Sequence, residues 1–129
     1  MMQIKNSISE HSEQKTLVDW WDLWSRTKGL NPLMLFAIPN GEKRTIQAGI
    51  RLKDEGVRPG VPDLFLAHPS KCWHGLFIEM KKKKGGIVSE AQKYIHKILT
   101  EQGYCVCVCK GFEHAKFVIQ GYIGDNDEN

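Results

Sequence analysis

The chain has 129 residues, of which 41% are hydrophobic and 26% charged, and its net charge at neutral pH is +3. These values suit one globular domain with one core and exclude a disordered chain. No apolar run approaches the ~20 residues that span a bilayer, and the polar N-terminus lacks the apolar segment of a signal peptide, so we expect a cytoplasmic protein with no membrane partner.

The first predicted element is a helix over residues 9 to 28. Its apolar side chains are spaced three and four apart and form one stripe: Leu17, Trp20, Trp21 and Trp24. Ser9 or Ser12 could cap its start, and Gly29 follows its end. Tryptophans can stack on nucleic-acid bases, but a helical stripe of this kind is more often part of the core.

Apolar runs separated by glycine and proline residues predict the remaining elements. They are a strand at 33–38, a helix at 45–55, strands at 63–67 and 76–80, a helix from 89 to about 102, a strand at 104–110 and a helix at 113–122. This order predicts an α/β fold in which helices flank a four-stranded mixed sheet and bury both of its faces. We expect one domain over residues 1–124 and an acidic, disordered tail at 125–129.

The spacing of the cysteines and histidines does not favour metal ligation. Cys105, Cys107 and Cys109 alternate with valines and therefore lie on one face of a strand, where side chains converge poorly on a metal. The C-x-x-C turns typical of zinc sites are absent, so we interpret these cysteines as small apolar residues without disulfides. We interpret the histidines as surface or loop residues: His11, His68, His74, His96 and His114.

The strongest functional signal joins two short motifs on consecutive predicted strands. Asp63 follows Gly60-Val61-Pro62 at the start of one strand, and Glu79 and Lys81 lie near the end of the next. Strand alternation places Glu79 and Lys81 on one face. If the two strands pair as an antiparallel hairpin, the start of the first lies beside the end of the second, and the three side chains converge.

This set of side chains suits a divalent metal and phosphodiester chemistry. Asp63, Glu79 and the backbone carbonyl of Met80 would supply the oxygen ligands that Mg²⁺ and Mn²⁺ prefer. A metal there would lower the pKa of a water, while Lys81 would orient that water or neutralise charge on the phosphate. Each motif alone is more often a strand start or a solvated Glu-Lys alternation, but their occurrence on consecutive strands favours function.

In these residues the chain resembles the VRR-NUC family of the PD-(D/E)XK nuclease superfamily. The resemblance rests on Pro62-Asp63, on Glu79-Met80-Lys81, on the run from Gly56 to Leu64, on Pro39-Asn40-Gly41 with Arg44, and on Gln92. It covers nearly the whole chain, and the run from 57 to 64 is its most specific part. It implies a restriction-endonuclease-like αβββαβ core and a metal-dependent nuclease of replication and repair.

The resemblance also implies roles for individual residues. Asp63 and Glu79 become metal ligands, and Lys81 becomes the catalytic lysine. Gln92 matches a glutamine of the family's site, yet it equally fits a capping box, Ser89-Glu90-Ala91-Gln92, that begins the third helix. We expect that one amide cannot serve both roles fully, and both interpretations stay open.

The family's site includes a glutamate of the first helix. We assign it to Glu13, as a catalytic residue and metal ligand, because the core stripe faces its side of the helix; Glu10 is the competitor. Phosphate contacts are assigned to five basic residues: Arg44, Arg51, Lys82, Lys83 and Lys84. Lys53 and Arg58 are weaker candidates, and a run of charge alone is usually a solvated face.

Short stand-alone members of the family, often viral or prophage-borne, resemble dimeric resolvases of four-way DNA junctions. This chain has no room for another domain, so we expect a homodimeric Holliday junction resolvase that acts in DNA repair and recombination in a bacterial or phage-infected cell. It would be a Mg²⁺- or Mn²⁺-dependent endodeoxyribonuclease without an organic cofactor. The alternatives are a structure-selective flap or nicking nuclease and a non-catalytic DNA-binding module on a nuclease fold.

Overall fold

The computed structural model describes residues 9–39 and 45–124, and its elements follow the predicted order. They are helix α1 (Glu10–Thr27), a 3-10 helix (Pro32–Met34), strand β1 (Leu35–Ala37), helix α2 (Ile46–Asp54), strands β2 (Leu64–Leu66) and β3 (Leu76–Lys81), helix α3 (Glu90–Glu101), strand β4 (Cys105–Lys110) and helix α4 (Phe112–Ile123). Arg44 and the predicted acidic tail at 125–129 lie outside the described residues. None of the helices in the described ranges is long and apolar enough to cross a membrane.

The four strands form one mixed sheet in the order β1-β2-β3-β4, which confirms the predicted fold class. β2 pairs antiparallel with both β1 and β3, and the register sets Leu64 opposite Ile78. β4 lies parallel to β3 because α3 carries the chain back to the same end of the sheet before β4 begins. The predicted hairpin of the two motif-bearing strands is therefore present.

One face of the sheet packs against α1 and α4 and forms the core. Alternate residues of β2 and β3 point into it and are fully buried or nearly so: Leu64, Leu66, Leu76, Ile78 and Met80. Leu17 and Trp21 of α1 and Ile119 of α4 cover them without exposure to solvent. The tryptophan stripe is therefore core, as predicted, and the Trp21 indole N–H donates to the Pro32 carbonyl at 2.8 Å.

The cysteines of β4 also belong to this apolar layer. Cys109 is fully buried, and the sulfurs of Cys105 and Cys107 lie 3.9 Å apart without a disulfide. Burial raises the pKa of the Cys107 and Cys109 thiols to about 12, so both are neutral. Within residues 9–39 and 45–124 there is no group of three or more histidine, cysteine or acidic side chains placed to hold a metal.

The first strand is shorter than predicted. Residues 33 and 34, predicted as the start of the strand, belong to the 3-10 turn Pro32–Met34, and pairing with β2 is confined to Leu35–Ala37. The cause is local: Pro32 has the backbone angle of a first helical turn, and the Asn31 side chain accepts a hydrogen bond from the Leu33 amide. Helix-capping chemistry thus displaces the start of the strand by two residues.

Candidate active site

The loop before β2 holds Asp63 in place by packing against the start of α3. Gly60 has φ +91°, and a Cβ there would lie 2.5 Å from the Ala91 carbonyl oxygen, so only glycine permits this approach. Pro62 is fully buried beneath the loop. The Gly60-Val61-Pro62 segment therefore brings the following carboxylate next to the first turn of α3.

Asp63 lies beside the C-terminal end of β3, as the predicted hairpin requires. Its Oδ2 accepts a hydrogen bond from the Met80 amide at 2.7 Å. Since Leu64 is opposite Ile78, the residue before Leu64 necessarily lies beside the pair Glu79 and Met80. The antiparallel register, rather than proximity in sequence, is what unites the two motifs.

Glu79 and Lys81 share the face of the sheet opposite the core, and both are nearly buried. Glu79 is 3% exposed and Lys81 is 8% exposed. The Lys81 ammonium lies 3.9 Å from Glu79 Oε2. The alternative of a solvated Glu-Lys alternation is excluded by this burial, because two buried charges need partners.

Gln92 joins these groups with a single amide. Its Oε1 accepts from the Ser89 backbone N–H at 2.8 Å and from the Lys81 ammonium at 3.1 Å, while its Nε2 donates to Glu79 Oε2 at 2.9 Å. The Ser89 hydroxyl completes the capping box by accepting a hydrogen bond from the backbone N–H of Gln92. Our expectation that one amide cannot make both the capping contact and the site contacts was wrong, because its carbonyl oxygen has two lone pairs and its NH₂ group remains free for Glu79.

His96 is a member of the site that the sequence interpretation missed. It lies on α3 one turn after Gln92, it is half-buried, and its Nε2 is 3.5 Å from Glu79 Oε1. Burial and the charge of Lys81 lower the pKa of His96, so the ring is neutral at pH 7. The interpretation as a surface or loop residue was wrong; the spacing of four residues from Gln92 on one helix face was the available signal.

The two carboxylates are held in a poorly solvated and negatively charged place. Burial and the charge of Asp63 raise the pKa of Glu79 to about 8, and burial also raises the pKa of Asp63. The charge of Glu10 acts in the same direction on both groups, whereas that of Lys81 opposes it. A divalent cation would relieve this repulsion, and the two carboxylates are oxygen ligands of the kind it prefers; no third acidic, histidine or cysteine side chain of the described residues completes the set, so a backbone carbonyl and waters would supply the remaining ligands.

The backbone carbonyl of Met80 points toward the same side as Asp63. The Lys81 carbonyl accepts from the Gly111 amide at 3.0 Å and so points toward β4. Successive residues of a strand direct their backbone groups to opposite sides, so the N–H and C=O of Met80 point away from β4. The bond from the Met80 amide to Asp63 agrees with this direction and leaves the carbonyl beside the carboxylates.

Of the two glutamates considered on α1, only Glu10 lines the cavity with the carboxylates. Glu13 is 5% exposed, and its Oε1 accepts from the Phe112 amide at 2.8 Å, at the first turn of α4. Gly111 precedes that turn and carries no side chain that could cap it. The geometry therefore favours Glu10 over our assigned Glu13 as the site's helix glutamate, and it gives Glu13 a capping contact instead.

The site opens into a cavity of about 520 Å³ between the sheet, α3 and α2. Asp63, Glu79, Lys81 and Gln92 line it, and α2 contributes Gly49, Leu52 and Lys53 to its lining. Lys53, which we ranked as a weaker phosphate candidate, is thus the basic residue of α2 at the cavity. Arg51 and the exposed run of Lys82, Lys83 and Lys84 do not line the cavity.

Known proteins resemble this chain over nearly its whole length, including the residues of the candidate site. The family model described as VRR-NUC domain matches residues 3–113, which include every element that carries a site residue. Among solved structures, a chain titled "VRR_NUC domain protein" is similar with a TM-score of 0.79 and 29% sequence identity, covering 95% of this chain and 93% of that one. No curated protein sequence matches the chain.

Proposed function

This chain belongs to the VRR-NUC domain family of nucleases, whose substrate is DNA, and from that premise we propose that it is a metal-dependent endonuclease of branched DNA. Specifically, it hydrolyses phosphodiester bonds in four-way (Holliday) junctions as a homodimer. The observation that carries the proposal is that one open cavity is lined by Asp63, which the Met80 amide holds, and by the hydrogen-bonded residues Glu79, Lys81 and Gln92.

The carboxylates are the groups that would hold the metal. Asp63, Glu79 and the Met80 carbonyl offer oxygen ligands, with Glu10 at the rim of the same cavity. When bound there, Mg²⁺ or Mn²⁺ would supply a water of lowered pKa and would neutralise charge on the scissile phosphate. The Met80 amide fixes one oxygen of Asp63, so that carboxylate is oriented before any ligand arrives.

Lys81 and Gln92 organise the remaining charge. The Gln92 oxygen holds the ammonium of Lys81, and its NH₂ group holds Glu79, so the distance between cation and carboxylate is set by one rigid amide. A preorganised ammonium in a poorly solvated cavity stabilises the negative charge that develops on the phosphate. Lys81 therefore acts as the electrostatic catalyst and orients the attacking water.

Basic residues outside the carboxylate set would bind the DNA backbone. Lys53 lines the cavity and is the candidate for the phosphate next to the scissile one. Phosphates further along the strand would be contacted by the exposed residues Arg51, Lys82, Lys83 and Lys84, and by Arg44. Such contacts position the duplex without reading its sequence.

A homodimer suits two symmetric cuts. A four-way junction is cut at two positions related by a two-fold axis, and a C2 dimer provides two sites with the same relation. The setting we propose is recombination and repair in the cytoplasm of a bacterial or phage-infected cell. The alternatives on the same site are a flap or nicking nuclease and a DNA-binding module without catalysis.

The test is cleavage of labelled four-way junctions, flaps, nicked duplexes and linear duplexes with Mg²⁺ or Mn²⁺. We expect junctions to be cut fastest, and Asp63→Ala and Glu79→Ala to lower the rate about 100-fold or more. Asp22→Ala removes an exposed carboxylate on the far part of α1 and should change nothing. Sedimentation analysis should give the mass of a dimer.

Each other result points to a different conclusion. Faster cutting of flaps or nicked duplexes would favour the structure-selective alternative. Binding without cutting in either metal would favour the non-catalytic module. Cutting that survives both alanine substitutions would overturn the assignment of the site.

A further inference from the structure

Helix α2 packs less than the other helices of the described chain against the remaining elements. None of its nine residues, Ile46–Asp54, is buried, and it packs little against the other helices and strands. Ile46 is 80% exposed and Ile50 is 57% exposed. Two exposed isoleucines one turn apart on a loosely packed helix form an apolar surface that folding does not use.

The exposed isoleucines lie beside the catalytic cavity. Gly49, Leu52 and Lys53 of the same helix line that cavity. Ile46, Ile50 and Lys53 are spaced four and three apart, so they form one stripe on the helix, with Gly49 adjoining it. The apolar pair therefore continues the cavity wall onto the rim, with the ammonium of Lys53 on the same stripe.

A DNA strand that brings a phosphate to the carboxylates passes close to this stripe, because three residues of α2 line the same cavity. This step rests on the proposed function. Intact duplex DNA offers mainly phosphates and sugars to such a wall, and these do not match two isoleucines. An unstacked base does match them, since isoleucine wedges contact bases where the stack is broken.

We propose that α2 is the element by which this nuclease recognises a branch point. Ile46 and Ile50 pack against bases that are unstacked next to the scissile phosphate, and Lys53 contacts a phosphate of the same strand. Unstacking is least costly where base pairs already lack a neighbour, as at the centre of a junction or the root of a flap. Selectivity for branched DNA then comes from shape and not from base sequence.

The charge distribution of α2 favours binding to a negatively charged nucleic acid. Lys53 is the charged residue of α2 that lines the cavity, and no acidic residue lies in the first turn. Thr45 caps that turn by accepting from the Ala48 amide at 3.0 Å, so the positive end of the helix dipole is ordered. The other occupant to consider, a second copy of the chain, would cover the rim that the substrate must cross.

The experiment uses four-way junctions with 2-aminopurine at the branch point, bound in Ca²⁺ under conditions without cleavage. Wild-type protein should raise the fluorescence, because 2-aminopurine brightens when it is unstacked. The double variant Ile46→Ser/Ile50→Ser should abolish that rise and weaken junction binding about tenfold, while binding to linear duplex at the same salt changes less than about twofold. The single variants should lie between.

Leu23→Ser is the matched control. Like Ile46 and Ile50, Leu23 is an exposed branched aliphatic side chain on a helix; it lies on α1 and is 72% exposed. It should leave the fluorescence and both affinities unchanged. Circular dichroism and Tm should be unaltered in all variants, since the substituted side chains are exposed.

Three outcomes would overturn the inference. One is an unchanged fluorescence rise in the double variant, another is an equal loss of junction and duplex binding, and the third is conversion of a wild-type dimer to a monomer, which would make the stripe a protein interface. Failure of the proposed function looks different: the wild type would cut no DNA, while the fluorescence assay would still report on Ile46 and Ile50.

Discussion

The side chain of Gln92 both caps helix α3 and contacts two charged residues of the site. Its oxygen accepts from the Ser89 amide at the start of α3 and from Lys81 on β3, and its NH₂ group donates to Glu79. The capping box therefore fixes the rotamer that the site needs. The helix cap and the contacts with Lys81 and Glu79 are compatible because the Gln92 oxygen accepts two hydrogen bonds and its NH₂ group donates a third.

This geometry allows the two roles to be separated by mutation. Ser89→Ala removes one capping bond and should lower the free energy of unfolding by about 1 kcal/mol, with little change in DNA cleavage. Gln92→Ala should cost a similar amount and also reduce the cleavage rate about tenfold or more, because Lys81 and Glu79 lose their shared partner. Chemical denaturation and cleavage assays measure the two quantities.

Equal cleavage by both variants would mean that Gln92 serves α3 alone. Gln92→Glu provides a further control, since a carboxylate keeps both acceptor bonds but cannot donate to Glu79 and adds a repulsive charge. We expect it to keep more of the helix stability than Gln92→Ala and to remain defective in cleavage.

At the scale of elements, α1 contributes one glutamate to the cavity and another to α4. Glu13 Oε1 accepts from the Phe112 amide, and its Oε2 is buried without a hydrogen-bond partner among the described residues. Gly111 has φ +90°, which residues with side chains rarely adopt, and a Cβ there would lie 2.8 Å from Lys83 Cγ and 3.3 Å from Glu13 Oε2. α4 therefore begins at a glycine and takes its cap from α1.

The contrast between Glu13 and Glu10 gives a prediction for α1. Glu13→Ala should lower the free energy of unfolding by about 1–2 kcal/mol, because α4 loses its cap, while Glu13→Gln keeps an acceptor oxygen and should lose less. Neither should change cleavage at saturating metal. Glu10→Gln should leave stability unchanged and raise the metal concentration for half-maximal cleavage about tenfold.

Thermal denaturation and metal titrations of the cleavage rate measure these effects. A Glu13→Gln variant of normal stability that cuts no DNA would restore Glu13 as a metal ligand. In that case the contact with Phe112 would be one that metal binding replaces.

At the scale of the whole molecule, ionisation of the buried carboxylate of Glu79 lowers the free energy of unfolding when no metal is bound. Glu79 has its pKa raised to about 8, chiefly by burial and then by the charge of Asp63. Glu10 of α1 adds to this effect, Lys81 opposes it, and His96 of α3 faces the same carboxylate as a neutral ring. Folding thus favours the protonated form of Glu79 over the ionised form.

The sign of the pH dependence follows from this shift. The ordinary pKa of glutamate is 4.5, so the stabilising contribution is complete below that pH and is lost as pH rises toward and through about 8. The metal-free protein should therefore lose Tm between these values, by about 5 °C or more in a domain of this size. Scanning calorimetry in EDTA across this range measures it.

Glu79→Gln is the control, because a neutral amide cannot be ionised at any of these pH values. It should flatten the dependence, as should saturating Mg²⁺ added to the wild type. If the wild type in EDTA and Glu79→Gln show the same slope, the ionisation of Glu79 is not its source.

Much of the fold followed from local patterns along the chain. The order of helices and strands, the mixed sheet, the tryptophan stripe in the core and the β2–β3 hairpin were all predicted, because helix and strand periods, caps and turn residues act over short distances. The convergence of Asp63 with Glu79 also followed, since a hairpin needs only the register of neighbouring strands. The first strand was too long in the prediction because capping by Asn31 and Pro32 outweighed strand propensity.

By itself, then, the sequence determined the family, the element order and the central pair of carboxylates with Lys81, because each of these depends on residues close in the chain or on adjacent strands. Only the tertiary structure decided which α1 glutamate faces the cavity, that His96 contacts Glu79, and that Lys53 of α2 lines the site. These placements depend on how helices rotate and pack against the sheet, and a rotation of one helical position, about 100°, exchanges the side chain that faces the site.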